Sequence, residues 1–354
     1  DLPDDFYSRI ANMHSESEEV QEKNPLYDYL DSLSRLPETR KLFYERPGSM
    51  EFEARVLEIF DGRYILLDQT LFYPEGGGQP GDTGLFLTPD GLTVRVCDTI
   101  KLGESILHRI EGGNVRKGDM VRGILDEDRR LSLMRHHTAT HILLHAAKEV
   151  LGAHIHQAGA QKGEYSSRID IRHYKHITPE EIRKIEVVAN RLVMANTPTS
   201  IAWEDRTDAE QKYGFCLYQG GVPPGSQIRV VKVAGDIEAC AGTHCAHTGD
   251  VGTISVIRVE HVQDGVERLE FAAGIAAIQH KHHQEDLLNR SAEAFSVQVE
   301  ALPATSKRFF DEWKDQRKEI ERLSARISEM ELKNLKTQDY NGVPVLVKRL
   351  DLPN

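Results

Sequence analysis

Two pairs of potential metal ligands lie far apart in this sequence. His137 and His141 are four residues apart in a segment that reads as a long helix, so their side chains share one face and can bind one ion. Cys240 and His244 have the same spacing, with small residues between them that favour a tight turn. Thiolate and imidazole donors suit zinc in tetrahedral geometry. The four residues therefore predict one zinc site.

Each pair also has an ordinary structural explanation. With 16 histidines in 354 residues, this His-x3-His spacing arises roughly once by chance, and His141 with His145 matches it too. We expect His145 to be a helix-surface or core histidine rather than a ligand. Cys240 can equally be a buried cysteine beside a surface histidine, and Cys245 and His247 are further candidates nearby. Spacing alone leaves these alternatives open.

Two features favour a working site over a purely structural one. The two pairs lie within one large block of the chain, whereas a structural zinc usually staples a small module with a closed ligand shell. Thr138 and Thr140 also place hydroxyl groups beside the first pair, where a core helix would carry apolar residues. We therefore expect the zinc to take part in function.

The region before the first pair predicts a small antiparallel barrel over residues 46–128. Phe52, Ala54 and Val56 alternate with polar residues, and Asp61-Gly62 is a typical two-residue hairpin turn. Several short strands separated by turns at this spacing are typical of barrels. Further strands are predicted at residues 63–67, Thr93–Ile100, Ser105–Ile110 and Met120–Leu125.

The block that carries the ligand pairs, residues 129–275, reads as α/β. A long helix is predicted over about 129–150, ending before Gly152. A second helix begins at Thr178, because Pro179 suits the first helical position and Glu181 completes a capping box. Strands are predicted at Ile228–Val233, Gly252–Val259 and Arg268–Phe271.

The two ends of the chain differ from this centre. Residues 1–45 read as short acidic helices or linker, and residues from about 276 read as charged helix. Trp313, Ile320 and Ile327 repeat every seven residues, with Leu323 and Met330 at the matching positions, which predicts a short coiled coil or helical hairpin. We expect this stripe to pack within the chain. Its expected partners are Leu287, Leu288 and Phe295, and a new strand is predicted at Val343–Val347.

Composition narrows the class of protein. A chain of 354 residues with 39% hydrophobic content can form two or three cores. It has no apolar run long enough to span a membrane and no secretory leader, so we expect no membrane partner. Its four cysteines are too few for a disulfide framework, which favours a cytoplasmic location. The net charge of −12 argues weakly against nucleic acid.

The ligand pairs and their surroundings resemble the editing domain of alanyl-tRNA synthetases. The similar segments occur in the family's order and cover residues 46–275 closely. Cys240-Ala241-Gly242-Thr243-His244 stands where bacterial members have Cys-Gly-Gly-Thr-His, which fits an archaeal-type member. The other similar segments are Arg135–His141, the glycine-rich Phe72–Gly84, Arg168–Ile171, the helix start at Thr178–Glu181, and Gly265–Glu270.

The resemblance implies an α+β fold in several parts. An acidic helical linker over 1–45 precedes the barrel with its glycine-rich motif (46–128), and a zinc-dependent α/β editing domain follows over 129–275. A helical, coiled-coil-like linker is implied over 276–340, and the start of a truncated C-terminal dimerisation domain over 341–354. We recognise no ATP-binding or class II aminoacylation region, so the aminoacylation half is expected to be absent from this chain.

The resemblance also implies a function. The family hydrolyses the ester that joins serine or glycine wrongly to tRNA(Ala), with zinc bound at the site, and its full-length members are expected to form homodimers. Gln157, Thr138 and Thr140 are then candidate catalytic residues, although by itself Gln157 reads as a solvent-facing loop residue. The turn residues Gly76, Gly77, Gly78 and Gln79 are candidates for contact with the tRNA end or substrate, although they also suit a plain hairpin.

Two other functions remain possible at this point. One is a free-standing editing hydrolase that acts on mischarged tRNA without an attached synthetase. The other is a zinc-stabilised tRNA-binding adaptor that has no catalytic activity. Whether the zinc activates water, polarises the ester or positions the substrate's amino group also stays open.

Overall fold

A computed structural model describes residues 25–219, 221–333 and 338–346. Residues 1–24 of the predicted head, 334–337 of the linker and 347–354 at the end lie outside the described residues. The chain divides into two compact units, Asp1–His280 and Lys281–Asn354. Within the described ranges, none of the helices has the length and apolar character that crossing a membrane requires. The helices are α1 (Leu30–Leu33), α2 (Leu42–Glu45), α3 (Glu127–Leu151), α4 (Pro179–Met194), α5 (Arg206–Tyr213), α6 (Ile275–Ala294) and α7 (Leu302–Lys333).

The first unit begins with the predicted barrel, which closes through six antiparallel strands in the order β2-β3-β7-β6-β5-β8. A short parallel pair, β1 with β4, lies outside this ladder. The barrel and its neighbours consist of β1 (Arg40–Lys41), β2 (Glu51–Phe60), β3 (Tyr64–Leu67), β4 (Gln69–Thr70), β5 (Gly84–Leu87), β6 (Thr93–Leu102), β7 (Ser105–Glu111) and β8 (Met120–Leu125).

Alternating residues fill the barrel, as the sequence pattern indicates. Phe52, Ala54 and Val56 of β2 point inward and are buried, while the residues between them are exposed. Asp61 and Gly62 both have positive φ, so the β2–β3 turn has the expected hairpin conformation. The sequence did not reveal β5.

The rest of the first unit mixes helices with two antiparallel sheets. One sheet has the order β14-β15-β10-β9 and the other β11-β12-β13. The strands are β9 (His156–Gln161), β10 (Ser167–Arg172), β11 (Ser200–Asp205), β12 (Gln227–Val233), β13 (Asp236–Ala239), β14 (Ile254–Gln263) and β15 (Val266–Ala273). Of these, β9, β10, β11 and β13 were not predicted.

Helices α3 and α4 share one core with the four-stranded sheet. Ile142 of α3 and Ile185 of α4 are buried in the same cluster as Ile169, Leu269 and Phe271 of the sheet. The predicted capping box of α4 is confirmed, because the Thr178 side chain accepts from the Glu181 amide and the Glu181 side chain accepts from the Thr178 amide. This core fixes α3, and α3 carries the first ligand pair.

The second unit contains α7 and a small hairpin, β16 (Gln338–Tyr340) with β17 (Val343–Val345). None of the residues of α7 is buried. The expected packing of its apolar stripe against Leu287 and Leu288 is wrong: Trp313, Ile320 and Ile327 are all more than half exposed, and Leu287 and Leu288 are nearly so. Phe295, the third expected partner, does contact α7, because its ring lies 5.4 Å from that of Phe309. A heptad seam is buried only by a facing helix, and in the described part of the chain Trp313, Ile320 and Ile327 stay exposed.

Candidate metal centre

The fold brings both predicted ligand pairs to one place. His137, His141, Cys240 and His244 each offer one donor atom, and these atoms all lie within 4.8 Å of one another. The Cys240 Sγ lies 3.3 Å from His137 Nε2 and 3.4 Å from His244 Nε2. The three imidazoles are buried, and the cysteine is partly buried. This donor set and its compactness fit a tetrahedral metal ion such as zinc.

Each of the three imidazoles is oriented by a partner at its other nitrogen. His137 Nδ1 lies 2.8 Å from Gln79 Oε1, and His141 Nδ1 lies 2.9 Å from Asp236 Oδ2. His244 Nδ1 makes a longer contact of 3.4 Å with the Thr138 hydroxyl. Since Nδ1 is engaged in each ring, Nε2 is free to serve as the ligand atom. Partners of this kind fix the tautomer and aim the ring in metal sites.

The charges around the cluster also favour ligand chemistry. Burial opposes the thiolate of Cys240, but electrostatic interactions with His137 and His244 and hydrogen bonds from His137 and His141 outweigh it. They hold the pKa of this thiol well below its usual value. Burial lowers the pKa of His244 to about 4, so this imidazole is neutral at neutral pH. Burial opposes the charged form of His141, but the charge of Glu238 and the hydrogen bond to Asp236 outweigh it and raise the pKa of this imidazole well above its usual value. Zinc requires a thiolate and neutral imidazoles, so its binding at this cluster would release the proton of His141.

The acidic partner of His141 was not found from the sequence. Asp236 and Glu238 are buried on β13, four and two residues before Cys240, and Lys148 forms a 2.9 Å ion pair with Asp236. Burial raises the pKa of Glu238, and the charge of Asp236 raises it further. The sequence did contain a signal for this contact: two acidic residues alternate along the segment that leads directly to the ligand cysteine.

The loop that carries the second pair is fixed by Arg229 and by a glycine. The Arg229 guanidinium donates to the carbonyl oxygens of Cys240 and Gly242, at 2.7 and 3.0 Å, and stacks on the ring of Tyr44. A Cβ at Gly242 would overlap the imidazole of His137. The small residue between the ligands is therefore required for the close approach of the loop to α3.

The glycine-rich motif packs against both ligand pairs. Gln79 is fully buried and its side-chain amide donates to Thr243 Oγ1 at 2.9 Å, in addition to its contact with His137. Asp82 forms a buried ion pair with Arg130 at the start of α3. Gln79, predicted to contact tRNA or substrate, thus lies between the two ligand-bearing segments.

Gly77 and Gly78 of the glycine-rich turn have different surroundings. Gly78 touches the backbone of Ala160, and a Cβ there would overlap the Ala160 carbonyl. Gly77 is exposed, and nothing lies within 4 Å of a Cβ placed on it. Its carbonyl accepts from Lys162 Nζ at 2.8 Å. Lys162 is buried, which lowers its pKa. The turn is therefore closely packed at Gly78, whereas there is open space beside Gly77.

The two threonines beside the first pair form hydrogen bonds within the fold. Thr138 donates to the Met134 carbonyl at 2.8 Å and accepts from the Cys245 amide at 3.0 Å, which joins α3 to the second ligand loop. Thr140 donates to the carbonyl of His136 at 2.9 Å. Both hydroxyls are buried.

Gln157 lies on the edge strand β9, not in a loop. Its backbone amide donates to Gln219 Oε1 at 2.9 Å, and its side-chain amide donates to the backbone carbonyl of Gln219. It lines a surface depression of about 500 Å³ together with Phe215, Cys216 and Tyr218. None of the four ligand candidates lines this depression.

The additional candidates near the ligands lie elsewhere. Cys245 is buried in the main core, and burial raises its pKa to about 11. His247 is half exposed and contacts Asp250. Neither these two residues nor His145 belongs to the four-residue cluster.

Two known protein families match parts of this chain. The family described as class II (A) tRNA synthetases matches residues 1–129, although no class II aminoacylation region was expected in this chain. The family described as the threonyl and alanyl tRNA synthetase second additional domain matches residues 228–270, which include Cys240 and His244.

Curated relatives match along the whole chain. The alanine-tRNA ligase of Methanospirillum hungatei JF-1 is 92% identical over 354 residues, which are all of this chain and 39% of that protein. The chain belongs to the alanine-tRNA ligase family. Alanine-tRNA ligases of Methanoregula boonei and Methanococcoides burtonii are 62% and 51% identical, over 99% of this chain and 38% of each relative. The chain thus spans about two fifths of the length of these relatives.

Proposed function

We propose that the first unit of this alanine-tRNA ligase segment hydrolyses the ester of mischarged tRNA(Ala), with one zinc ion bound by His137, His141, Cys240 and His244. The substrate would be a seryl or glycyl ester on the 3′-terminal ribose. The family match that includes the second ligand pair and the names of the relatives support this proposal.

The observation that carries the proposal is the orientation of the ligands. Three separate elements, the glycine-rich motif through Gln79, α3 through Thr138, and β13 through Asp236, each hold one imidazole by Nδ1. A set of histidines that served only to pack a core would not need three buried partners that leave Nε2 facing a cysteine. The donor set suits zinc better than harder cations, which prefer oxygen.

A zinc ion at this place would act as a Lewis acid beside the ester. The chain itself must then bind the tRNA end and orient the aminoacyl group. We assign the exposed Gly77 backbone and its neighbours Gly76 and Gly78 to contact with the tRNA end, because a turn without side chains allows close approach. Gln79 acts through His137, whose ring it holds.

Recognition of the aminoacyl group is assigned to Thr140 and Gln157. Thr138, whose hydroxyl contacts Met134, Cys245 and His244, is assigned to positioning the His244 ring. The hydrogen-bonding groups of Thr140 and Gln157 are those that a serine hydroxyl requires, and the two threonines lie on the same helix as the first ligand pair. A pocket that binds alanine excludes glycine poorly, because the missing methyl group changes the binding free energy by only about 1–3 kcal/mol. A separate hydrolytic site would correct the resulting errors.

The experiment that tests this function compares substrates. Purified chain is incubated with seryl-, glycyl- and alanyl-tRNA(Ala), and the remaining ester is measured over time. We expect seryl or glycyl ester to be lost much faster than alanyl ester. Binding of all three without turnover would instead support a zinc-stabilised adaptor. In the full-length protein, we propose that a C-terminal domain makes a homodimer in the cytoplasm.

A further inference from the structure

A second group of metal-type side chains lies on the surface of the first unit. His176, His261 and Glu267 each offer a donor atom, and these atoms lie within 4.8 Å of one another. His176 Nδ1 and His261 Nδ1 lie 3.1 and 2.9 Å from the same oxygen, Oε1 of Glu267. The two imidazole rings are in edge contact, with centroids 4.7 Å apart.

The backbone places these three residues together in a defined way. His261 on β14 is the direct cross-strand partner of Glu267 on β15, so the two side chains lie on the same face of the sheet. His176 comes from the loop between β10 and the start of α4. That loop is fixed to the β14–β15 turn, because the His173 amide donates to the Gly265 carbonyl at 3.0 Å.

The charge of Glu267 requires a positive partner. Its side chain is only 4% exposed, and a buried carboxylate without a compensating charge is costly. Among the described residues, the ion-pair partners of Glu267 are these two histidines, with no lysine or arginine. An imidazole supplies positive charge only when it is protonated, whereas a divalent cation supplies it in either case.

The geometry fits such a cation. With metal–ligand bonds of about 2.1 Å, two donor atoms at a right angle about an ion lie about 3.0 Å apart. This separation is close to the 3.1 and 2.9 Å between the two imidazole nitrogens and Glu267 Oε1. The side chains of His176 and His261 are 75% and 41% exposed, so water can complete the coordination. Two imidazoles and one carboxylate with open positions are typical of sites for first-row divalent metal ions.

We propose that His176, His261 and Glu267 form a second metal site, which binds a first-row divalent transition-metal ion and ties the β14–β15 hairpin to the loop before α4. The site is separate from the four-ligand cluster, and the proposal does not rest on the editing function. The ion remains open to solvent, so it exchanges more readily than one in the buried cluster.

The test uses zinc as the probe and counts ions bound per chain. Equilibrium dialysis at micromolar free zinc is followed by elemental analysis of the complete chain, the His176→Ala/His261→Ala double variant and a His156→Ala control. His156 is another exposed histidine of the first unit, and it is outside the trio. We expect the double variant to bind one ion fewer per chain than the wild type, and the control to bind the same number. Because the result is a difference, it does not depend on how fully the buried cluster is loaded.

A second variant separates a metal site from a plain hydrogen-bonded trio. Glu267→Gln keeps the shape and an acceptor oxygen but removes the charge. We expect it to weaken the binding of the additional ion at least tenfold while the protein stays folded. Equal zinc content in the wild type and the double variant would overturn the proposal. Loss of an ion in the His156→Ala control would also overturn it, since that would show non-specific surface binding.

Discussion

The buried and the surface metal-type clusters found among the described residues differ in what surrounds them. In the buried cluster, Gln79, Asp236 and Thr138 hold the three imidazoles in place, and Cys240 provides a thiolate. In the surface cluster, one carboxylate faces two exposed imidazoles whose outer nitrogens lack such buried partners in the described part of the chain.

The difference indicates two kinds of metal binding. Ligands that are pre-oriented by several elements lose little freedom on binding, and their removal disturbs the packing between those elements. Exposed ligand side chains, by contrast, lose conformational freedom when the ion binds, and the bound ion stays accessible to water. The buried cluster should therefore bind tightly and be sensitive to distant substitutions, and the surface cluster should bind more weakly and respond only to its own residues.

The largest effect is expected for Cys240→Ala. It removes the only thiolate donor of the buried cluster, and three imidazoles without it should not retain zinc through purification. Elemental analysis should show one zinc fewer per chain than in the wild type. Cys216→Ala, which removes an exposed thiol elsewhere, is the matched control and should lose none. Full zinc content in Cys240→Ala would show that the assigned ligands are wrong.

A single methyl group should also disturb the buried cluster. Gly242→Ala places a Cβ where the His137 ring lies, so either the ring or the ligand loop must move. We expect zinc affinity to fall at least about tenfold, as for the loss of an orienting partner. Gly77→Ala is the control, because its Cβ meets nothing and its positive φ should cost only about 1 kcal/mol of stability. Calorimetric zinc titration and thermal unfolding measure the two effects; equal affinities would refute the close-approach argument.

Removing an orienting partner should have an intermediate effect. Asp236→Ala leaves all four ligands in place but removes the hydrogen-bond partner of His141 Nδ1, so that Glu238, at 3.6 Å, is the carboxylate that remains near this nitrogen. Zinc affinity should fall about 10–100-fold, measured by competition with a chelator of known affinity. Asp264→Ala, an exposed acidic residue near the surface cluster, should leave this affinity unchanged. If Asp236→Ala binds zinc as tightly as the wild type, the partners do not pre-orient the site.

The smallest effect is expected for Gln157→Ala. Its side chain lies outside the ligand cluster, so zinc content and fold should be unchanged. Loss of one neutral hydrogen bond to the substrate would slow deacylation of seryl-tRNA(Ala) about threefold to tenfold. Single-turnover kinetics provide the measurement. A rate equal to that of the wild type would leave Gln157 with its contact to Gln219 as its sole role.

The sequence predicted the elements whose formation depends on residues close together in the chain. Alternation and the Asp61-Gly62 turn located β2 and β3, and the capping box located the start of α4. Both ligand pairs were predicted because each pair is four residues apart within one local element. The strand β5 was missed because Gly84 reads as loop; in the structure it allows close contact with Ile124 of β8.

Features that depend on distant contacts could not be predicted in the same way. Gln79 and His137 meet only because the glycine-rich motif packs on α3, and nothing in their spacing indicates this contact. The surface cluster combines residues from a loop and two strands, so its members show no regular spacing. For the stripe of α7, the heptad pattern did indicate an amphipathic helix, but a pattern of this kind does not identify the surface that covers it.

The most direct test of the central claim measures deacylation of seryl-tRNA(Ala) by the complete chain before zinc removal, after chelation, and after zinc is restored. The same series is run on Cys240→Ala. The account predicts rapid ester loss in the untreated wild type, loss of activity after chelation, recovery with zinc, and no activity in the variant at any stage. Hydrolysis that continues unchanged after zinc removal, or that is as fast in Cys240→Ala as in the wild type, would contradict it.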